Sequence, residues 1–291
     1  MIGDKVFRAI LGICTLIVGL VTLGIFITLI QGSLPAIRAF GPAFLIDARW
    51  DPVKVHFGAL SFIVGTLLTS FTALIISLPF SFGVALLLGE YYRNGRFARV
   101  LQVSIDLLAS VPSVIYGFWG MTVLVPLVRS LEIAIHVTPY GVGIFTSSLI
   151  LAVMIVPYSS SIATEVIKLV PNEMKEAAYA LGATRYEVVQ KVSLNYAKSG
   201  IIAGIMLSLG RALGETMAVT MVIGNNYRLP KSLFDPGNTL ASVIASEFTE
   251  AMNPLHLSSM IELALVLFLI TMILNLVSRR IIARMGGETH A

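Results

Sequence analysis

Apolar residues in this chain come in long runs separated by short polar or charged stretches, and six runs stand out at about 9–30, 60–89, 101–128, 141–170, 199–223 and 258–277. A helix crosses the hydrocarbon layer of a bilayer in about 20 residues, so each run predicts a membrane-spanning helix. Pro79, Pro112 and Pro157 interrupt the second, third and fourth runs and predict kinks there. Lys5 and Arg8 precede the first run, which exceeds the roughly 7 to 15 apolar residues of a signal peptide and lacks a small-residue cleavage site; it is expected to be a retained span. Gln31 to Ala59 is rich in Pro, Gly and charge and reads as a loop outside the membrane, with Trp50 at the interface. Asn226 to Leu257 mixes apolar and polar residues. Leu240 to Ala251 predicts a short helix there, made too polar to span by Ser246, Glu247, Thr249 and Glu250, and lying at the surface or dipping into the membrane. No stretch is long enough for a separate soluble domain and no repeat of 20 to 50 residues is present, so residues 1–291 read as a single transmembrane domain.

Composition agrees with that pattern. Of 291 residues 56% are hydrophobic and 12% charged, which identifies an all-α integral membrane protein. The formal charge of +4 does not imply a nucleic-acid partner, because there is no soluble face to carry a basic patch. Its use is topological: the amino terminus, the Arg93, Arg96 and Arg99 loop, the Pro171 segment and the carboxyl tail together hold roughly twice the Lys and Arg of the alternate loops. That bias predicts both termini in the cytoplasm. Cys14 is the single cysteine and sits in an apolar run, so no intrachain disulfide forms and it reads as a small hydrophobe. GxxxxGK[ST], HExxH and CxxC motifs are absent, so neither a phosphate-cradling loop, a metal site nor a cofactor is expected. An intramembrane serine protease would need a base opposite its serine, whereas His56, His136, His256 and His290 all fall in expected loops or tails. Ser159, Ser160 and Ser161 are better read as small polar residues that let helices approach closely.

The most informative polar stretch follows Pro171. Asn172 is positioned to cap a short helix, Glu173 sits at its positive end, and Gly182 can end it in a left-handed turn. Met174, Ala177, Ala178 and Leu181 fall on one face of that helix, and Thr184 to Glu187 has capping-box spacing for a second. Glu176-Ala177-Ala178, three residues, then Gly182 resembles the EAA loop of bacterial ABC-importer permeases; Val192 and Leu194 fit the continuation, with Asn195 where that family has Pro. Arg211 to Val219 (RALGETMAV), Val111 to Gly120 (VPSVIYGFWG) and Trp50 to Pro52 (WDP) are similar to the PstC family, the C-type permease subunits of bacterial phosphate importers, and the likeness covers nearly the whole chain.

That resemblance implies a type I importer permease with six transmembrane helices and a cytoplasmic coupling segment at 171–198. Met174, Glu176, Ala177, Ala178, Leu181 and Gly182 would dock on a separate ATP-binding subunit. It further implies a bacterial inner-membrane complex with a second, A-type permease subunit, two ATPase copies, an extracytoplasmic phosphate-binding protein and inorganic phosphate as substrate. The chain itself would not be an enzyme. A permease for another oxyanion, molybdate or sulfate, is the nearest rival, and an ion-coupled secondary transporter is the rival of a different class.

Arg211 and Glu215 lie within the fifth apolar run. A charge at the bilayer centre costs roughly 2.5 to 3.5 kcal/mol on insertion scales, so such residues face protein or water. Spacing of four predicts one helix face, and an internal ion pair that fixes packing competes with a role in the substrate pathway. The pathway role is favoured, because a guanidinium fork is a natural ligand for an oxyanion. Gly210 and Gly214 flank the pair and read as permitting close helix packing. Asp106 and Glu165 are expected to make local pairs near the cytoplasmic ends of their spans.

Overall fold

The computed structural model describes residues 2–251 and 253–286; His290 lies outside them. Among the described residues six helical stretches are long and apolar enough to cross a membrane: Phe7–Phe40, Leu60–Tyr91, Ser113–Ala134, Ile144–Lys168, Arg185–Leu213 and Pro254–Met285. The chain is a multi-pass membrane protein.

The first helix, α1 (Ile2–Phe40), runs well past the expected loop boundary at Gln31. Pro35 would normally break it, but Ser258 repairs the opening: its hydroxyl accepts from Ala36 N–H at 3.1 Å and donates to the Gly32 carbonyl at 2.7 Å. Short α2 (Ala43–Ile46) and the strands β1 (Trp50–Asp51) and β2 (His56–Phe57), paired antiparallel with Trp50 opposite Phe57, lead into α3 (Leu60–Leu86). A wide π turn at Leu87–Tyr91 ends that span.

The third apolar run divides where one span starting near Leu101 was expected. Val111 is extended (φ −66°, ψ 127°), as a residue before proline prefers, so Pro112 separates two helices and does not kink one. On one side lies α4 (Arg96–Ser110), amphipathic and outside the spans; on the other α5 (Ser113–Trp119), a π turn at Gly120–Leu124 and α6 (Val125–Ala134) form the third span. The fifth run divides too. After α8 (Asn172–Ala180), α9 (Arg185–Glu187) and a π turn at Val188–Ser193, α10 (Leu194–Leu213) stops at Gly214, and α11 (Met217–Val222) restarts beyond Thr216.

At the centre α3 packs along α7 (Ile144–Lys168), and Ser159 donates to Ser81 across them at 2.6 Å. Hydroxyls here serve helix contact. α10 lies against α7 through Gly200 and Gly204, where an added Cβ would collide with Val166 and press on Ile162. Gly210 and Gly214, expected to do this, meet no neighbouring side chain, so the close packing falls ten residues earlier than the sequence suggested.

One end of the bundle is closed by a cap in which Phe44, Trp50, Phe57 and Phe62 pack with Leu240 and Val243 of α12 (Leu240–Glu247) and Met260 of α13 (Pro254–Gly286). Trp50 is buried here, not interfacial: its Nε1 donates to Glu247 Oε2 at 3.1 Å and its ring meets Phe57 and Phe62 edge-on. His256, expected in a loop, occupies the first turn of α13, is buried, and sets Nε2 3.1 Å from the same carboxylate oxygen. Of the expected 240–251 helix, Leu240–Glu247 forms, inside the cap, its first amide bonded to Thr66 Oγ1 at 2.9 Å, and 248–250 turn out to the surface. At the cap surface Asp47 accepts from the Arg49 side chain, His56 and the Arg49 backbone, which together hold its carboxyl well below the usual carboxylate range.

Candidate translocation cleft and coupling surface

Arg211 stands in the last turn of α10, level with the middle of α7 and α13. Its guanidinium carbon lies 4.3 Å above the Tyr158 ring, one residue past the proline inside α7. The ring face holds the cation by a cation–π contact, and no carboxylate among the described residues occupies its N–H groups. The expected arrangement of Arg211 and Glu215 on one helix face does not occur. α10 ends at Leu213, Glu215 falls in the link to α11, and among the described residues no ion pair joins the two. Glu215 Oε1 instead reaches the Ala218 amide of α11 at 3.5 Å.

Both side chains nevertheless line one cleft of about 520 Å³, with Tyr158, Thr271 and Asn275 on its other walls. Gly210 and Gly214 line it as well, and because an added Cβ at Gly210 would meet open space, these glycines keep the cleft wide. The Thr271 hydroxyl donates to Leu267 and Phe268 carbonyls and so turns acceptor capacity to the cleft. Asn275 makes no hydrogen bond within the described residues, leaving its amide donors available. A guanidinium and an amide form a donor set suited to an oxyanion, with the Glu215 carboxylate as the negative charge on the same wall.

At the other candidate site α8 presents Met174, Glu176 and Ala177 outward, with Ala178 half-buried; Met174 is 45% exposed and Leu181, just past the helix, 90%. Gly182 follows with φ +85°, a left-handed conformation open to glycine at little cost. Thr184 and Glu187 form the capping box that starts α9. Asn172 does not cap α8; the N-cap is Pro171 and no side chain accepts there. Asn195, where the EAA pattern has Pro, donates its side-chain amide to the Lys191 carbonyl at 3.1 Å.

Sequence reasoning missed what holds this surface. Lys175, between the outward residues, turns inward and places Nζ 2.5 Å from Glu90 Oε2 in the π turn below α3, with both side chains more than nine-tenths buried. Ser193 donates to the same oxygen at 3.1 Å, and Arg93 lies 3.8 Å from it. The partners are 85 residues apart, and the faint signals were a lysine inside the EAA stretch and a glutamate closing an apolar run. Glu165 and Asp106 pair locally, with Lys168 at 2.9 Å and Gln102 at 3.0 Å.

A helical bundle with an outward helix pair at one end and a mid-depth cationic cleft defines a transport permease, and comparison with known proteins agrees. Residues 77–287 match the family of binding-protein-dependent transport system inner membrane components, and the chain belongs to that family. It is 42% identical to the phosphate transport system permease protein PstC of Haemophilus influenzae, over 97% of this chain and 94% of that one. Its identity to the PstC of Pasteurella multocida is 43%, over 97% and 92%. These likenesses set it among the PstC permeases within the family. In fold it resembles a bacterial alginate ABC transporter solved in complex with an alginate pentasaccharide-bound periplasmic protein, with a TM-score of 0.62, 19% identity and 96% of each chain covered. The chain is a non-catalytic permease subunit that associates with other components of an ABC importer.

Proposed function

We propose that the Arg211 cleft is the route by which phosphate crosses this permease subunit of an ATP-driven phosphate importer, and that α8 and α9 receive the stroke of a separate ATPase. The observation that supports the route is Arg211 itself: a mid-depth guanidinium stacked on Tyr158, without an ion pair among the described residues, in a cleft kept open by glycines. An arginine kept only for packing would hold its carboxylate; this one is ready for an anion. Glu215, on the link between α10 and α11, would line the same route without pairing with Arg211. The open side of the cleft would be completed by a second, A-type permease subunit. One of two ATPase copies in the complex would dock on the Met174, Ala177 and Leu181 face, and an extracytoplasmic phosphate-binding protein would deliver substrate at the cap. Both termini and the 171–198 segment would then lie in the cytoplasm of a bacterial cell with this complex in its inner membrane.

In a strain deleted for its own permease, this chain should restore ATP-dependent uptake of radiolabelled phosphate but not of sulfate or molybdate. Restored sulfate uptake, or phosphate uptake that persists without an ATPase, would overturn the reading. Orientation is checked separately in a Cys14→Ser background. A cysteine at exposed Ser232 should react with an impermeant thiol reagent from outside, and those at exposed Asn94 and Thr184 should not.

A further inference from the structure

At the foot of the bundle a second cleft, of about 270 Å³, opens between the end of α3, the start of α4 and the end of α7. Its polar walls are Arg93, Arg99, Lys168, Asn94 and Gln102, and no carboxylate lines it. Three acids stand behind the walls, and of these Asp106 accepts from the Gln102 amide at 3.0 Å. Glu165, largely exposed, pairs with Lys168, and Glu90 is already taken by Lys175 and Ser193. Arg93 donates Nε to the Gly89 carbonyl at 2.8 Å, but its buried Nη2 has no hydrogen-bond acceptor, Glu90 Oε2 being 3.8 Å away. Arg99 is exposed. The cleft therefore has three basic side chains and no carboxylate on its walls, and Arg99 is the one of the three that makes no ion pair among the described residues.

Its surroundings are apolar. Leu88, Ala98 and Val103 share the walls, and Val103 belongs to a stripe on α4 that continues through Val100 and Leu107, all exposed. This stripe meets the cleft at Val103 and extends along α4 to either side of it, on a helix that skirts the spans where the chain leaves α3. Tyr91 and Tyr92, exposed at the same level, suit the boundary between headgroups and acyl chains. A free anion would use the basic groups and leave the stripe bare. An anionic glycerophospholipid would use both, its phosphate among Arg93, Arg99 and Lys168 and an acyl chain along Val103, Val100 and Leu107.

We propose that this cleft is a binding site for an anionic phospholipid headgroup, with the outward face of α4 as the bed for its acyl chain. Basic groups near a membrane surface each favour anionic lipid by about 1 kcal/mol, which is about fivefold in binding. The full-length chain, purified in a zwitterionic detergent with the ABC components it assembles with, would be mixed with phosphatidylglycerol or phosphatidylcholine and its bound lipid counted by native mass spectrometry. Phosphatidylglycerol should be retained in preference. Arg99→Gln should lower its retention about fivefold and Arg93→Gln with Arg99→Gln roughly twentyfold, with phosphatidylcholine retention unchanged. Millimolar inorganic phosphate should not displace the lipid. Because Arg99 is exposed, its single variant keeps the fold and stands as the deciding case. Equal retention of the two lipids, an unchanged Arg99→Gln, or displacement by inorganic phosphate, which would mark a site for a free anion, would each overturn the proposal.

Discussion

Two places in this molecule set opposite charges into an apolar bundle, and they are built in opposite ways. At the foot, Lys175 and Glu90 are buried, 2.5 Å apart, with Ser193 on the same oxygen. At mid-depth, Arg211 and Glu215 share a cleft but make no ion pair, the arginine resting on Tyr158. A buried pair with its hydrogen bonds met is suited to fix one element on another, here α8 on the π turn that ends the second span. A charge left open beside donors and space is suited to meet something that arrives. Sequence spacing ranks the two the other way, since four residues in an apolar run look like a pair and 85 residues do not.

The comparison breaks most easily at the foot. Lys175→Met strands Glu90 in a buried position, at a cost of about 3 to 5 kcal/mol, and should sharply lower the amount of chain in the membrane. Combining it with Glu90→Gln removes the stranded charge and should recover abundance, as read by immunoblot of membranes. Failure of the double variant to recover would mean that the two residues act separately. Gly210→Leu sharpens the other half of the comparison: it should fill the cleft and stop phosphate uptake while leaving abundance unchanged, because the added side chain meets open space. Loss of abundance would show that the glycine packs against a partner. The smallest effect is expected at the outward face of α8. Leu181→Asp should leave the chain intact but weaken ATPase association, since burying a leucine contributes roughly 1.5 to 3 kcal/mol. Co-purification at unchanged yield would remove Leu181 from that interface.

Much of this was legible beforehand, and the misses have physical causes. Length and apolarity alone mark six spans, and the Thr184 capping box and Gly182 turn are local chemistry that reads directly. Helix ends inside apolar runs are harder. Val111 before Pro112 did signal the α4 boundary, but apolar residues on both sides hid it, and the Gly214 and Thr216 that end α10 and begin α11 were outweighed by the apolar residues around them. Gly210 and Gly214 were placed in helix packing because a small-residue spacing cannot tell a contact from a gap. Long-range partners lay out of reach altogether: Trp50 finds Glu247 across 197 residues, and Lys175 finds Glu90 only once α8 meets the π turn that follows α3.

The central claim is that Arg211 serves the passing anion and not the fold. It is tested most directly by phosphate uptake of Arg211→Gln, measured with membrane abundance and ATPase association in the same cells and beside Glu215→Gln and the double variant. The account predicts that Arg211→Gln abolishes uptake at near-normal abundance and assembly, and that adding Glu215→Gln restores nothing, because no ion pair was there to strand. Poor assembly of both single variants, with abundance and transport returning together in the double, would contradict it.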